Sequence, residues 1–303
     1  MKLEIRDIRK SFGDREILHG VSFDVVSGRA MGFLGRNGAG KSTTIRCLMD
    51  VFHQDAGEFV LDGKPFKATE NRVGYLPEER GMYQKNKILD QLVYFAQLRG
   101  ASKAEAVRSA NEWVDFFELG EYKNKPLETL SKGNQQKIQI AQAFLNDPDI
   151  LILDEPFSGL DPLNSQIFKD AIANVVSKGR LVIFSSHQMN YVEEVCDDVT
   201  LIHEGDIILT GDLKALKRQM GENKLMLAVD GMDDTAVGQA ITARFPGVTL
   251  EHTEDTLVLD THQDVTQQDI LTFIAQQGWH VARFGMYEPS LNDIFVAKVR
   301  DDQ

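Results

Sequence analysis

Short, wholly apolar runs alternate with segments of helical period over the first two thirds of the chain. Ile150–Leu153 and Leu181–Phe184 have the pattern of strands buried on both faces. Phe33-Leu34 leads into a glycine-rich turn, and a helical segment follows from about Lys41 to Met49. Another helical stretch, from about Leu163 to Ser177, separates the two apolar runs. Strands alternating with helices predict an α/β unit built on a mostly parallel sheet. From about 85 to 148 the pattern is almost purely helical, which predicts a helical insertion. Within it, Ser102-Lys103-Ala104-Glu105 has the form of a capping box. It opens a helix expected to bury Val107, Trp113, Val114 and Phe117. Trp113, Phe116 and Phe117 are read as packing for this insertion. The tail from about Lys224 predicts strand (225–229), helix (235–245), hairpin (248–260), helix (265–277) and strand (280–284). That β-α-β-β-α-β order is the ferredoxin-like plan.

Charge adds a boundary. The chain has 303 residues and a net charge of −13. Residues 222–303 hold a net of −9, against −4 for residues 1–221. A domain of residues 1–221 followed by a small domain of 222–303 is therefore expected. Lys214-Ala215-Leu216-Lys217-Arg218 reads as a solvated helix or linker between them. The acidic balance disfavours a phosphate backbone as partner, so no nucleic acid is expected. The two cysteines, Cys47 and Cys196, offer no disulfide framework or thiolate metal site, and a reducing compartment fits. The first residues lack the apolar core of a secretory signal, and no apolar run approaches the ~20 residues of a membrane span. A soluble chain is expected, with any membrane role coming through a partner.

Gly35-Arg36-Asn37-Gly38-Ala39-Gly40-Lys41-Ser42 fits G-x-x-x-x-G-K-[ST] without mismatch, after a strand and at the start of a helix. Glycines let the backbone amides converge on one point, and the helix start adds a partial positive charge there. Lys41 supplies a full charge for β- and γ-phosphates, and the Ser42 hydroxyl is a ligand for Mg²⁺. Asp154-Glu155 closes an apolar strand, at the end where open α/β sheets bind ligands. There Asp154 can hold Mg²⁺ and Glu155 can polarise a water for attack on the γ-phosphorus. Both carboxylates gain this reading from the phosphate loop; alone, they would be a solvated strand end. His53, His203 and His262 read as ordinary surface or satisfied histidines, and Glu193-Glu194 as a solvated helix face.

Leu130-Ser131-Lys132-Gly133-Asn134-Gln135 resembles the signature sequence of ATP-binding cassette (ABC) ATPases, and it precedes the Asp-Glu strand as in that family. Ser158-Gly159-Leu160-Asp161 resembles the family's D-loop. Ser185-Ser186-His187 resembles the segment of its switch histidine, and Phe12 the aromatic that stacks on adenine. The resemblance covers about residues 2–215. The ending Glu288–Phe295 is similar to that of export-type subunits carrying a short C-terminal accessory domain. Two departures stand out. Lys132 and Asn134 flank Gly133 where the family usually has Gly-Gly-Gln, and Glu78 follows Tyr75-Leu76-Pro77 where it usually has Gln.

The resemblance implies a P-loop ABC ATPase core with antiparallel N-terminal strands. It implies ATP and Mg²⁺ as cofactors. ATP would be bound by Phe12, the run Gly35, Arg36, Asn37, Gly38, Ala39, Gly40, Lys41, Ser42 and Thr43, and, from a second chain, Ser131 and Gly133. Mg²⁺ would be held by Ser42, Asp154 and Glu78. Glu155, His187 and Lys41 would be catalytic, with His187 on the γ-phosphate and holding Glu155 in line. Ser131 could be only a helix cap, and in this family it can be both cap and phosphate contact. The implied partners are a second copy or a homologous cassette, paired head to tail, and an integral membrane permease, which would hold this cytoplasmic chain peripherally on the inner face of the cell membrane. The helical insertion and the loop from Glu78 to about Asn86 would dock that partner. The functional expectation is an ATPase driving transport, an exporter by the subgroup it resembles. Two other classes remain open: a nucleic-acid- or ribosome-associated ABC ATPase, and a regulatory nucleotide-binding module that hardly hydrolyses.

Overall fold

The computed structural model describes residues 1–79, 81–252, 256–262 and 265–301. It divides into two compact units, Met1–Leu213 with Lys298–Gln303, and Lys214–Ala297. The dividing line thus falls eight residues before the Gly221 expected from charge, and the basic helix after Leu213 is grouped with the second unit.

The first unit begins with strands β1 (Lys2–Phe12) and β2 (Arg15–Val26), followed by β3 (Ala30–Leu34) and helix α1 (Lys41–Leu48). Strands β4 (Ala56–Leu61), β5 (Lys64–Pro65) and β6 (Val73–Leu76) come next. Helices α2 (Ile88–Leu98), α3 (Lys103–Phe116) and α4 (Lys132–Phe144) form the helical insertion. The unit then runs β7 (Ile150–Asp154), α5 (Pro162–Ser177), β8 (Leu181–Ser186), α6 (Met189–Val195), β9 (Asp198–His203) and β10 (Asp206–Asp212). One antiparallel sheet has the order β2-β1-β4-β5; the main sheet has the order β10-β9-β3-β8-β7-β6. In the main sheet β9, β3, β8, β7 and β6 run parallel, and β10 is antiparallel at the edge. Every residue of β3, β7 and β8 is buried, as expected of strands covered on both faces. Their apolar side chains join those of β1 and β2 in one core that includes Ile5, Val21, Phe33, Ile152 and Ile183.

The insertion shows why its helices start where they do. Ser102 and Glu105 form a reciprocal capping box at the start of α3. The buried stripe of that helix is Ala106, Ala110, Trp113 and Val114, continued by Phe117. Val107 is a correction: it lies one position off that stripe and is 37% exposed. Trp113 packs on Phe144 of α4 with ring centroids 4.6 Å apart, and Phe144 meets Phe168 of α5, which joins the insertion to the α/β layer.

The second unit contains α7 (Leu213–Met220, its first residue in the other unit), β11 (Lys224–Val229), α8 (Asp234–Arg244), β12 (Thr249–His252), β13 (Leu257–Asp260), α9 (Gln267–Gln277), β14 (Val281–Met286) and most of α10 (Leu291–Asp301). Its sheet has the order β12-β13-β11-β14, all pairs antiparallel, which is the ferredoxin-like arrangement. Leu225, Leu227 and Val229 alternate inward from β11 onto Val237 and Ile241 of α8 and Ile270 and Ile274 of α9. The turn of the expected hairpin at 253–255, and Arg80 in the loop from Glu78 to Asn86, lie outside the described residues. Helix α10 was not expected from the pattern. Among the described residues no helix is long and apolar enough to cross a membrane.

Candidate nucleotide site

The site gathers at the carboxyl ends of β3, β7 and β8. Gly35 follows β3 so closely that a Cβ there would lie 2.4 Å from the Ile202 carbonyl oxygen. Gly40 closes the turn with φ of +114°, a left-handed conformation that suits glycine, and caps α1. The amides of Lys41, Ser42 and Thr43 then stand in the first turn of α1, where a helix has no backbone acceptors of its own. Arg36, Asn37 and Gly38 are exposed at the rim, and Ala39 is buried beneath it. The loop is thus a concave set of N–H donors ready for an anion.

Lys41 is 5% exposed, and its Nζ donates to the Gly35 carbonyl at 2.7 Å and the Arg36 carbonyl at 3.3 Å. It also lies 3.3 Å from Glu155 Oε1. The other carboxylate oxygen of Glu155 is 2.9 Å from His187 Nδ1. Glu155 is buried and takes φ of +50°, left-handed for a residue that has a Cβ, directly after the strand ends. Asp154 is 1% exposed. Its Oδ1 accepts from Ser42 Oγ at 3.1 Å and from Ser185 Oγ. Its Oδ2 is buried with no hydrogen-bond partner among the described residues. Burial raises the Asp154 carboxyl above its ordinary range, with Glu78 and Glu155 adding to the rise and the two serine hydroxyls opposing it. Glu78 Oε2 stands 3.5 Å from Ser42 Oγ.

Ser42 Oγ, the orphaned Asp154 Oδ2 and Glu78 make an all-oxygen donor set. That chemistry fits a hard divalent cation such as Mg²⁺, which takes one or two carboxylates and completes its shell with water and phosphate oxygens. Among the described residues no group of three or more His, Cys, Asp or Glu side chains could hold a metal alone. The set therefore suits a metal arriving with a phosphate ligand.

The structure thus brings Gly35–Thr43, Glu78, Asp154, Glu155 and His187 together. It does not bring Ser131 and Gly133 to them: among the described residues no hydrogen bond or ion pair links either to Lys41, Asp154 or Glu155. Ser131 is an exposed N-cap of α4, its hydroxyl accepting from the Asn134 amide at 3.3 Å. The same helix is tied to the acidic strand end through Gln136, whose Nε2 donates to the Pro156 carbonyl at 3.2 Å. Phe12 is 50% exposed, edge-on to Phe52 at 5.3 Å with Lys10 Nζ 5.5 Å from its ring centre. Ser185 is the residue that sequence reasoning passed over. A serine ending an apolar strand carries no signal of its own; only the parallel register pairing Asp154 with Ser185 places it in the site.

This geometry agrees with the comparisons to known proteins. The family described as ABC transporter matches residues 18–158, and the family described as the C-terminal domain of DrrA1-3-like ATP-binding proteins matches residues 211–299. An ABC transporter ATP-binding protein of Bacillus subtilis, YhaQ, is 40% identical over 298 residues, 98% of each chain. The linearmycin resistance ATP-binding protein LnrL of the same species is 28% identical across 97% of each chain. Nod factor export ATP-binding protein I of Burkholderia lata is 32% identical over 71% of this chain and 72% of its own. A solved structure of an ATP-binding subunit of an ABC transporter superposes with a TM-score of 0.67 at 30% identity, over 73% of this chain and 94% of that one. With a phosphate loop, a paired-carboxylate strand end and a full-length relative all in agreement, the chain belongs to the ABC transporter ATP-binding proteins, the ATP-hydrolysing subunits of those transporters.

Proposed function

We propose that this chain hydrolyses ATP with Mg²⁺ as one half of a head-to-tail pair of cassettes, at the cytoplasmic face of the cell membrane, to drive an export permease. The observation that carries the catalytic reading is the contact chain from buried Lys41 through buried Glu155 to the exposed His187 at the mouth of the phosphate loop. Lys41 and the amides at the start of α1 bind the β- and γ-phosphates. Bound Mg²⁺ would neutralise charge on those phosphates between Ser42, Asp154 and Glu78. Glu155 takes a proton from water as the water oxygen bonds the γ-phosphorus, and the bond from that phosphorus to the bridging oxygen breaks to release ADP. His187 holds Glu155 in line through Nδ1. Ser131 and Gly133, at the start of α4, reach the γ-phosphate of the partner cassette, which makes each site complete only in the pair. Phe12 stacks on the adenine.

Export is favoured by the names of two relatives, one for linearmycin resistance and one for Nod factor export. The insertion and the Glu78–Asn86 loop form the permease-docking surface, with exposed Tyr83, Tyr94 and Leu98 beside it. Glu155→Gln tests the chemistry. It is expected to keep ATP binding, lose about 10²- to 10⁴-fold in turnover, the worth of a general base, and accumulate as an ATP-bound dimer in gel filtration. Turnover within about 10-fold of wild type would remove Glu155 from the role of base. Lys41→Ala is expected to weaken ATP binding itself; normal binding would refute the phosphate-loop assignment.

A further inference from the structure

The geometry points to Ser185 as a positioning residue that sets the catalytic carboxylate and the metal-side carboxylate together through one hydroxyl. This inference rests on the ATPase reading above. Ser185 is fully buried at the end of β8, opposite Asp154 in the parallel register. Its Oγ donates to Asp154 Oδ1 and accepts from the Glu155 backbone amide at 3.0 Å. A serine hydroxyl has one proton to give, and the bond to Asp154 uses it. Both partners are themselves buried, so each bond is made away from competing water.

Each bond has a separate consequence. The donated bond, with the one from Ser42, occupies Oδ1 and leaves Oδ2 as the oxygen without a hydrogen-bond partner among the described residues. Asp154 is thereby fixed in a rotamer that offers one defined oxygen. The accepted bond satisfies the amide of a residue in the left-handed region, where a non-glycine side chain is held only if its surroundings demand it. That backbone turn aims the Glu155 side chain back at Lys41 and His187 rather than onward along the strand. Ser186 faces elsewhere, its hydroxyl accepting from the Gln188 amide at 2.9 Å, so the two consecutive serines do different work.

The test compares the full chain as wild type, Ser185→Ala, Ser185→Cys, Ser185→Thr and Glu155→Gln. Steady-state ATPase gives kcat, KM and the Mg²⁺ concentration for half-maximal rate. Fluorescent-ADP binding in EDTA gives metal-free affinity. Ser185→Ala and the nearly isosteric Ser185→Cys are expected to lose about 10- to 100-fold in kcat, the worth of hydrogen bonds to charged or strained groups. KM for ATP and metal-free ADP affinity should stay within about 3-fold, while the half-maximal Mg²⁺ concentration rises, a split that simple loss of folded protein does not produce. Ser185→Thr, which keeps the hydroxyl, should recover more kcat than Ser185→Cys. Should Ser185→Ala fail to fold, the Cys and Thr pair carries the comparison. A kcat within about 3-fold of wild type for Ser185→Cys, or a Thr variant no better than Cys, overturns the inference. Retained turnover in Glu155→Gln would instead strike at the ATPase assignment of the site.

Discussion

Substituting Gly74 by alanine gives a sharp test of how the signature helix is seated. Gly74 lies in β6, paired with Leu151 of β7, at the point where the end of α4 crosses the sheet. An alanine Cβ there would sit 2.0 Å from the Ala143 carbonyl oxygen and 3.0 Å from Pro148 Cγ. Ordinary contact between heavy atoms begins at roughly 3.5 Å, so the shortfall is about 1.5 Å. The obstacle is backbone at the end of a helix whose Ala143 is itself buried, so no side chain can swing away. The strand and helix must separate, and overpacking of this kind costs about 3 kcal/mol, the upper end of its usual range. At 2–4 °C per kcal/mol for a unit of this size, the melting temperature should fall by about 6–12 °C. Scanning calorimetry reads it, with Gly285→Ala in β14 as reference: a Cβ at 285 has nothing within 4 Å among the described residues and should change stability by no more than about 0.5 kcal/mol. Because α4 carries Ser131 and Gly133 at its other end, the ATPase rate should fall with the melting temperature. A Gly74→Ala chain that melts within about 2 °C of wild type would refute this packing of β6 against α4.

Phe12→Ala should weaken ATP binding about 10-fold, in line with about 1–3 kcal/mol for a base stacked on an aromatic ring, and leave stability nearly unchanged because the ring is half exposed; unaltered affinity by calorimetric titration would argue against adenine stacking. The hydrogen bond to Asp206, 2.9 Å away, raises the His19 imidazole above its ordinary value of 6.5. A raised folded value means its stabilisation is complete below pH 6.5 and fades as pH climbs through the raised value. Urea melts should therefore show wild type exceeding Asp206→Asn most at pH 5.5 and least at pH 8.5, and a constant difference would count against the pairing. Burial pushes the Cys47 thiol up to about 11 and the Cys196 thiol well above its ordinary value. At pH 8 iodoacetamide should leave the native chain unmodified by intact mass yet alkylate both thiols in denaturant; rapid native labelling would contradict that burial.

Much of this architecture could be read from the residues because local and global preferences coincide. Ile150–Leu153 is apolar on both faces and lies buried within the sheet between β8 and β6, and the glycines before Lys41 have one physical use in that context. The strand expected at 225–229 is β11, whose Leu225, Leu227 and Val229 face inward. What escaped depends on the third dimension. Val107 was assigned inward from helical spacing alone, but the small Ala106 and Ala110 let the neighbouring helices approach along a stripe one residue away. Ser185 has no pattern of its own and acquires neighbours only through strand register. The division after Leu213 follows contacts, which charge bias near Gly221 does not track.

The single ammonium of Lys41 has a further implication. It lies 3.3 Å from a buried carboxylate and donates to two loop carbonyls, so a triphosphate entering the loop competes with Glu155 for the same cation. If triphosphate won that competition, as the proposed mechanism requires, Glu155 would lose its positive neighbour as the γ-phosphorus came within reach. Under the proposed mechanism, filling the pocket and freeing the base would then be a single event.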